Sequence, residues 1–200
     1  MDKVKGTATV GLKRLTVRIL DGKPTPTLGE NLFVIEGQEG QGAMSTAKIS
    51  GLKSDPTKSF GSNIAYHVNN RGVGDVKVEL GILDIPVGLY ISALGFEDDD
   101  DILDFGADTV SANVAILLES NLAGTGKAFY GFYKGQLSMD GIDLETIKDK
   151  SEELVATNMD FTASASDDVA TKDKYGTMYF GSDEQKIKKL KGKLKMVAAG

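Results

Sequence analysis

Two hundred residues with 40% hydrophobic content suffice for one substantial core, and the absence of cysteine excludes disulfides, thiolate metal ligation and cysteine nucleophiles together. The formal charge of −6 is unevenly spread: residues 181–200 carry six lysines against Asp183 and Glu184, so the rest of the chain is strongly acidic. Between Lys77 and Lys127 ten carboxylates occur with no basic residue, which argues against ordinary DNA binding by that region, because affinity for DNA rests on cations at phosphates.

Twenty-four glycines against four prolines, with Val, Ile, Thr and Tyr in short runs, predict a mainly β chain of many short strands. The opening residues lack the apolar core of a signal peptide. The most apolar stretch, residues 82–96, is short and interrupted by Asp84 and Pro86, so cytoplasmic synthesis and no membrane span are expected.

In chain order, residues 12–20 alternate Leu15, Val17 and Ile19 with Arg14, Thr16 and Arg18, the period of a half-buried strand. Asp21, Gly22 and Pro24 end it, and residues 31–37 read as a second strand. The following loop contains Gly37, Gln38, Glu39, Gly40, Gln41 and Gly42; it lacks the Lys-Ser/Thr of a P-loop and the spacing of a dinucleotide fingerprint, so it reads as an assembly-ordered loop. A strand pattern resumes at Ser45 and breaks at Asp55 and Pro56. Residues 63–70 and 75–83 look like neighbouring strands joined through a turn at Asn69–Gly74, the second placing Val76, Val78, Leu80 and Ile82 on one face and Asp75, Lys77 and Glu79 on the other. His67, beside Tyr66 and Val68 with no cysteine or GxSxG serine to work with, reads as structural.

Pro86 opens a short predicted helix whose common face is Val87, Tyr90 or Ile91, and Leu94, with Gly95 as its stop. Seven carboxylates then fall within residues 95–108. An EF-hand requires alternating ligands, and Ile102 and Leu103 occupy ligand positions, so this run reads as a solvated, negative loop rather than a calcium site. Residues 112–120 and 127–137 are the most apolar strand candidates; Phe129, Tyr130, Phe132 and Tyr133 demand cover on both faces, from the core on one side and a neighbouring element or subunit on the other. Residues 139–154 suit an exposed helix by charge, while Ile142 and Leu144 alternate as in a strand; residues 159–166 alternate cleanly. At the end, Ile187, Leu190 and Leu194 make a weak amphipathic helix interrupted by Gly192, read foremost as a solvated basic terminus and alternatively as an arm docking on the acidic surface of a neighbouring copy.

No catalytic constellation, cofactor signature or metal-ligand spacing emerges, and paired carboxylates for glycoside cleavage are placed in no cleft. A calcium-dependent carbohydrate-binding module, with metal at residues 98–108 and tyrosines stacking on sugars, is the alternative class.

The ordered set FGSNIAYHVNNRGVGDVKVELGILDIP, AFYGFYKGQLS, DLETIKDKSEEL and MDFTASASD, with KRLTVRILDG, GENLFVIEG and TAKISGL before it, resembles the major tail tube proteins of long, non-contractile bacteriophage tails. The chain departs from that pattern at PVGLYISALGFEDDDD, where a more polar helix and a less acidic loop are usual. The resemblance implies a β-sandwich, barrel-like subunit with one short flanking helix and long assembly loops. Residues 1–182 would form the tail tube domain and 183–200 a basic tail, without the extra immunoglobulin-like domain of some relatives. It further implies a structural, non-enzymatic virion protein without cofactors, made in the host cytoplasm. Hexameric rings of it would stack around a tape measure protein, between tail terminator and tip proteins, and genomic DNA would pass through unbound. Asp75, Glu79, Asp143, Glu145 and Asp160 are the lumen-facing candidates, and residues 37–42 the ring-stacking candidates.

Overall fold

The computed structural model describes residues 6–38, 41–61, 63–69, 72–142, 144, 146 and 154–197. Within them the elements run β1 (Thr9–Ile19), β2 (Leu32–Ile35), β3 (Ala43–Ser50), β4 (Thr57–Gly61), β5 (Ile64–Asn69), β6 (Lys77–Asp84), α1 (Val87–Ser92), β7 (Glu97–Asp99), β8 (Ile102–Asp104), β9 (Asn113–Leu122), β10 (Lys127–Met139), β11 (Thr157–Ala163), β12 (Gly176–Gly181) and α2 (Glu184–Lys193). The architecture is mainly β, as the glycine-punctuated sequence predicts.

One antiparallel sheet, in the order β2-β1-β9-β10-β11-β6-β3 with β12 also on β10, folds over on itself to make both layers of a sandwich. The fold-over lies in β10. β9 pairs with it from Lys127 to Gln136, β12 with its first half and β11 with its second, and a register shift against β9 falls between Phe132 and Gly135. Gly135 is obligatory at this corner, because a Cβ there would sit 2.4 Å from both the Phe161 ring and the Thr162 carbonyl oxygen.

The core between the layers follows from strand alternation. Leu15, Val17 and Ile19 of β1, Val114, Ile116 and Leu118 of β9 and Phe132 of β10 face Val78, Leu80 and Ile82 of β6, Leu137 of β10, and Met159 and Phe161 of β11. The face predicted for β6 is the buried one. The pairing predicted for it is corrected: β6 lies between β3 and β11, whereas β5 pairs with β4 in a separate two-stranded ribbon. Two apolar-faced neighbours satisfy β6, so the link after β5 is not a hairpin turn. Its base is pinched shut instead, with Gly74 N–H donating to the Gly51 carbonyl at 2.9 Å and no room at Gly51 for a Cβ beside the Asp75 carbonyl.

α1 is found where expected, but it buries Leu89, followed by Ala93 and Leu94, while Val87 is exposed. Gly95 does end this segment: its φ is 80° and a Cβ would fall 2.2 Å from the Val110 carbonyl oxygen. The C-terminal residues are also corrected. They form α2, which runs through Gly192 and packs on the chain's own sheet, where Leu190, Leu194 and Met196 cover Ala115, Leu117, Phe129 and Tyr133. Docking on those four residues takes apolar surface out of water without stranding the lysines, because their long stems let the ammonium groups stay at the rim. Asp183 caps the helix by accepting from the Gln185 and Lys186 N–H groups, and Lys191 and Lys193 lie at the favourable end of its dipole.

Candidate assembly surfaces

The outer face of the second layer is polar and bare among the described residues. The register aligns Ser138, Asp160, Glu79 and Lys48 in one row, and Gln136, Thr162, Lys77 and Ser50 in the next. Glu79 and Asp160 therefore share a face, and Asp75 lies exposed just before β6. Asp143 and Glu145 lie outside the described residues. The charges interleave with cations: Lys48 Nζ reaches the Glu79 carboxylate oxygens at 2.9 and 3.1 Å, an exposed pair of small energetic worth that nonetheless occupies the lysine. This face is nearer to neutral than the composition of its acids alone suggests.

The glycine-rich segment joins β2, at the edge of the first layer, to β3, at the edge of the second. Gly37 (φ 82°) and Gly42 (φ 92°) close it through a 2.9 Å hydrogen bond from the Gly37 N–H to the Gly42 carbonyl. Gln41 N–H donates to the Gln38 carbonyl within it, and Gln38 Nε2 donates to Glu36. A Cβ on Gly42 would meet the Asp84 carbonyl oxygen at 2.9 Å, which fixes this segment beside the start of α1. Glu39 and Gly40 lie outside the described residues.

At the opposite end of β3 and β6 stands the β4–β5 ribbon. None of the described side chains of these two strands enters either core cluster, and Ile64, Tyr66 and Val68 are all exposed, Tyr66 at 82%. A register shift opposite Ser59 and Phe60 leaves Tyr66 as the extra residue of a bulge. The residues 97–104 that read as a solvated loop are a hairpin, β7 with β8, turned by Asp100 (φ 54°) and Asp101 (φ 67°). Two consecutive left-handed residues make a type I′ turn, which aspartate tolerates, and Asp98 accepts the Asp101 N–H. Phe96 at its base packs between Tyr90 of α1 and Phe105, tilted against both rings. Among the described residues no cluster of three or more His, Asp or Glu could hold a metal ion, and no helix is long and apolar enough to cross a membrane.

Phe129 and Tyr133 lie under α2, Phe132 lies in the central core, and Tyr130 packs at its margin. Sequence reasoning missed what fastens α2. Arg18 is buried, and its guanidinium donates to the carbonyls of Ile19, Lys23, Asn31 and Lys195 and to Asp21 Oδ1. One side chain thus joins the end of β1, the following loop and the segment after α2. Glu119, beneath the helix, has an Oε1 that makes no hydrogen bond and is held by charge, 3.2 Å from Lys191 Nζ and 3.7 Å from Arg14. Partial burial pushes the Asp21 carboxyl up, but Asn31, the Lys23 N–H and Arg18 outweigh it and hold it below its ordinary value. The Lys134 hydrogen bond lowers Asp167, and the Ala170 N–H with Lys195 lowers Asp168. Burial, with Asp84 nearby, raises the Tyr90 hydroxyl.

Comparison with curated proteins found no match. The family model for phage tail tube proteins matches residues 7–194, which spans both layers of the sandwich and α2. With nearly the whole chain covered, the protein belongs to the phage tail tube proteins, a family of structural virion-tail components rather than of enzymes.

Proposed function

We propose that the chain polymerises as stacked hexameric rings into the tube of a phage tail, with the bare face of β3, β6 and β11 lining a lumen through which the genome passes without specific binding. The observation that carries this reading is the contrast between the two outer faces: the apolar one is covered within the chain, while the polar one is left to water. A DNA conduit must not grip phosphate, and a wall whose lysines are matched by carboxylates offers no run of free cations to displace counterions. At physiological salt such charges act only within about 8 Å, so the wall smooths passage rather than steering it.

The free edges suit lateral joining. Among the described residues β2, β3 and β12 each pair along one side of the sheet only, and neighbouring copies that pair there would remove the exposed margins. The segment at residues 37–42 serves contacts between rings, and a tape measure protein occupies the bore during assembly, with terminator and tip proteins at the two ends. Synthesis takes place in the host cytoplasm.

Negative-stain microscopy of the concentrated protein tests the assembly: hollow filaments of constant width are expected, and discrete particles at every concentration would refute it. Glu79→Lys with Asp160→Lys tests the lumen. Tubes are expected to form while DNA delivery by the reconstituted virion slows, and normal delivery rules this lining face out. Replacing residues 38–41 by two glycines, which keeps Gly42 against Asp84, is expected to leave a folded subunit that does not elongate.

A further inference from the structure

One cross-strand row on the outer face of the first layer is charged at one end and aromatic at the other. The register sets Arg14 of β1 opposite Glu119 of β9, Glu119 opposite Phe129 of β10, and Phe129 opposite Tyr179 of β12. Beside Arg14, at the outer end of the row, stands Glu36, the residue that follows β2. Lys191 of α2 reaches down to Glu119 from above. Glu36, Arg14, Glu119 and Lys191 therefore form a chain of alternating charge from the glycine-rich segment to the roof helix.

The contacts along this chain are unequal. Arg14 turns both Nε, at 2.6 Å, and Nη2 to Glu36 Oε2. Its Nη1 stands 3.7 Å from Glu119 Oε1, beyond hydrogen-bond reach. The Glu119 side chain is only 5% exposed, and Oε1 has no hydrogen-bond partner among the described residues, so charge alone holds it. A buried acceptor left in this way destabilises a fold and calls for a reason. A shift of about 1 Å would carry Nη1 to the length of a charge-assisted hydrogen bond with Glu119 and would stretch the bonds to Glu36. Two carboxylates thus compete for one guanidinium. Glu36 is tied in turn to the segment after it, since Gln38 Nε2 donates to Glu36 Oε1 at 3.3 Å and the Gln41 N–H donates to the Gln38 carbonyl.

We propose that Arg14 is a shared cation that couples the glycine-rich segment to α2. In the free subunit Glu36 holds Arg14 away from Glu119; when a neighbouring copy engages residues 37–42 and draws Glu36 off, Arg14 moves onto Glu119 Oε1 and tightens the seat of α2. The assembly half of this rests on the tube reading, whereas the competition between the two carboxylates belongs to the single chain. The sign of the coupling is its signature. In a static ladder of ion pairs, loss of any member loosens the rest; here, loss of the Glu36–Arg14 pair strengthens the contact beneath the helix.

Hydrogen exchange of the full-length chain, read on α2 by mass spectrometry, tests the coupling. In the unassembled subunit Glu36→Ala is expected to slow exchange in α2 about fivefold, the effect of one added hydrogen bond to a charged group. The same substitution in a Glu119→Gln chain is expected to leave α2 where Glu119→Gln alone puts it. Melting each variant separates a change confined to α2 from a change in the whole fold. Unchanged or faster exchange in α2 of Glu36→Ala overturns the competition for Arg14. In tubes, α2 of the unmodified chain is expected to exchange about fivefold more slowly than in its free subunit, and tubes of Glu119→Gln to show no such gain. An equal gain in Glu119→Gln tubes would assign the protection to a neighbouring copy and overturn the assembly half. Absence of filaments from the unmodified chain overturns the tube reading, and the comparison of free subunits still decides the competition for Arg14.

Discussion

The outer face of β9 and β10 presents Ala115, Leu117, Phe129 and Tyr133 and is roofed by α2, whereas the outer face of β11, β6 and β3 presents Thr162, Asp160, Glu79 and Lys48 and has no roof among the described residues. Both faces belong to one continuous sheet, so backbone geometry does not separate them. Side-chain chemistry does. An apolar face must be covered before the subunit is stable alone, and here the cover is encoded in the same chain; a polar face can wait, and is free for a role that begins only in an assembly.

The sharpest way to break this contrast is to weaken the roof. Phe129→Ala removes a ring that is 1% exposed and stacks 6.1 Å from Tyr179 while packing beneath α2. A loss of about 3–5 kcal/mol is expected from urea unfolding, the range for a large buried aromatic. Gly131→Val tests the same packing from the opposite direction, since even a Cβ there would stand 2.7 Å from Leu194 Cδ1. A variant of either kind that unfolds at the same urea concentration would show that α2 contributes little.

Arg18 separates fastening from packing. Its guanidinium donates to four carbonyls and faces Asp21, so Arg18→Met keeps much of the stem's contact area while removing that donor from all four, of which the Asn31 carbonyl keeps the Ile19 N–H. A loss of about 3 kcal/mol is expected, with amide exchange accelerated first after α2 and in residues 21–31. Uniform acceleration along the chain would contradict the clasp.

Acid should act on the same region. Asp21, Asp167 and Asp168 all titrate below their ordinary value in the folded protein, so the stability they contribute is complete above about pH 4 and fades as pH falls through their folded values. The partners are Arg18, Lys134 and Lys195; the Asp168–Lys195 contact holds the segment that follows α2 directly, and Arg18, which Asp21 faces, donates to the Lys195 carbonyl. The protection of amides in that segment, corrected for their intrinsic exchange rates, is expected to fall below about pH 4 before that of the central core, and to stay level between pH 5 and 8.

The contrast between the faces was legible in the sequence only on its inner side. The alternation of Leu15, Val17 and Ile19, of Val76 through Ile82, and of Met159 and Phe161 specifies strands and a core, and the structure has both. The double-sided apolar character of residues 112–137 announced a second cover, but not its source. α2 was hard to assign because five lysines dominate its composition, while its docking depends on Leu190 and on Leu194 and Met196 just beyond it, apolar positions a short solvated helix can share. Which strand β6 would choose was equally closed to local reading, since β5, β3 and β11 all alternate and the choice is made by long-range burial. Arg18 did leave a signal: an arginine at the end of an alternating strand, between Val17 and Ile19 and three residues before an aspartate. On the assembly side, Glu79 and Asp160 fall where a polar face was expected, but Lys48 belongs to a distant strand, so their partial neutralisation could be read only from the register.

The bare face makes the smallest demand and gives the subtlest test. Glu79→Gln removes one partner of an exposed ion pair, and Asp160→Asn removes a carboxylate for which the described residues show no salt bridge. Each is expected to change unfolding free energy by no more than about 0.5 kcal/mol, because solvent screens the charge in both folded and unfolded chains. Glu79→Gln does have a second consequence, since it leaves Lys48 exposed without its carboxylate in a row of the proposed lumen wall. A folded subunit of unchanged stability is therefore expected to bind short duplex DNA more strongly once assembled, with an affinity that falls as salt is raised. If assembled Glu79→Gln tubes retain DNA no better than unmodified ones, this row of the sheet does not face the bore, whatever holds the tube together.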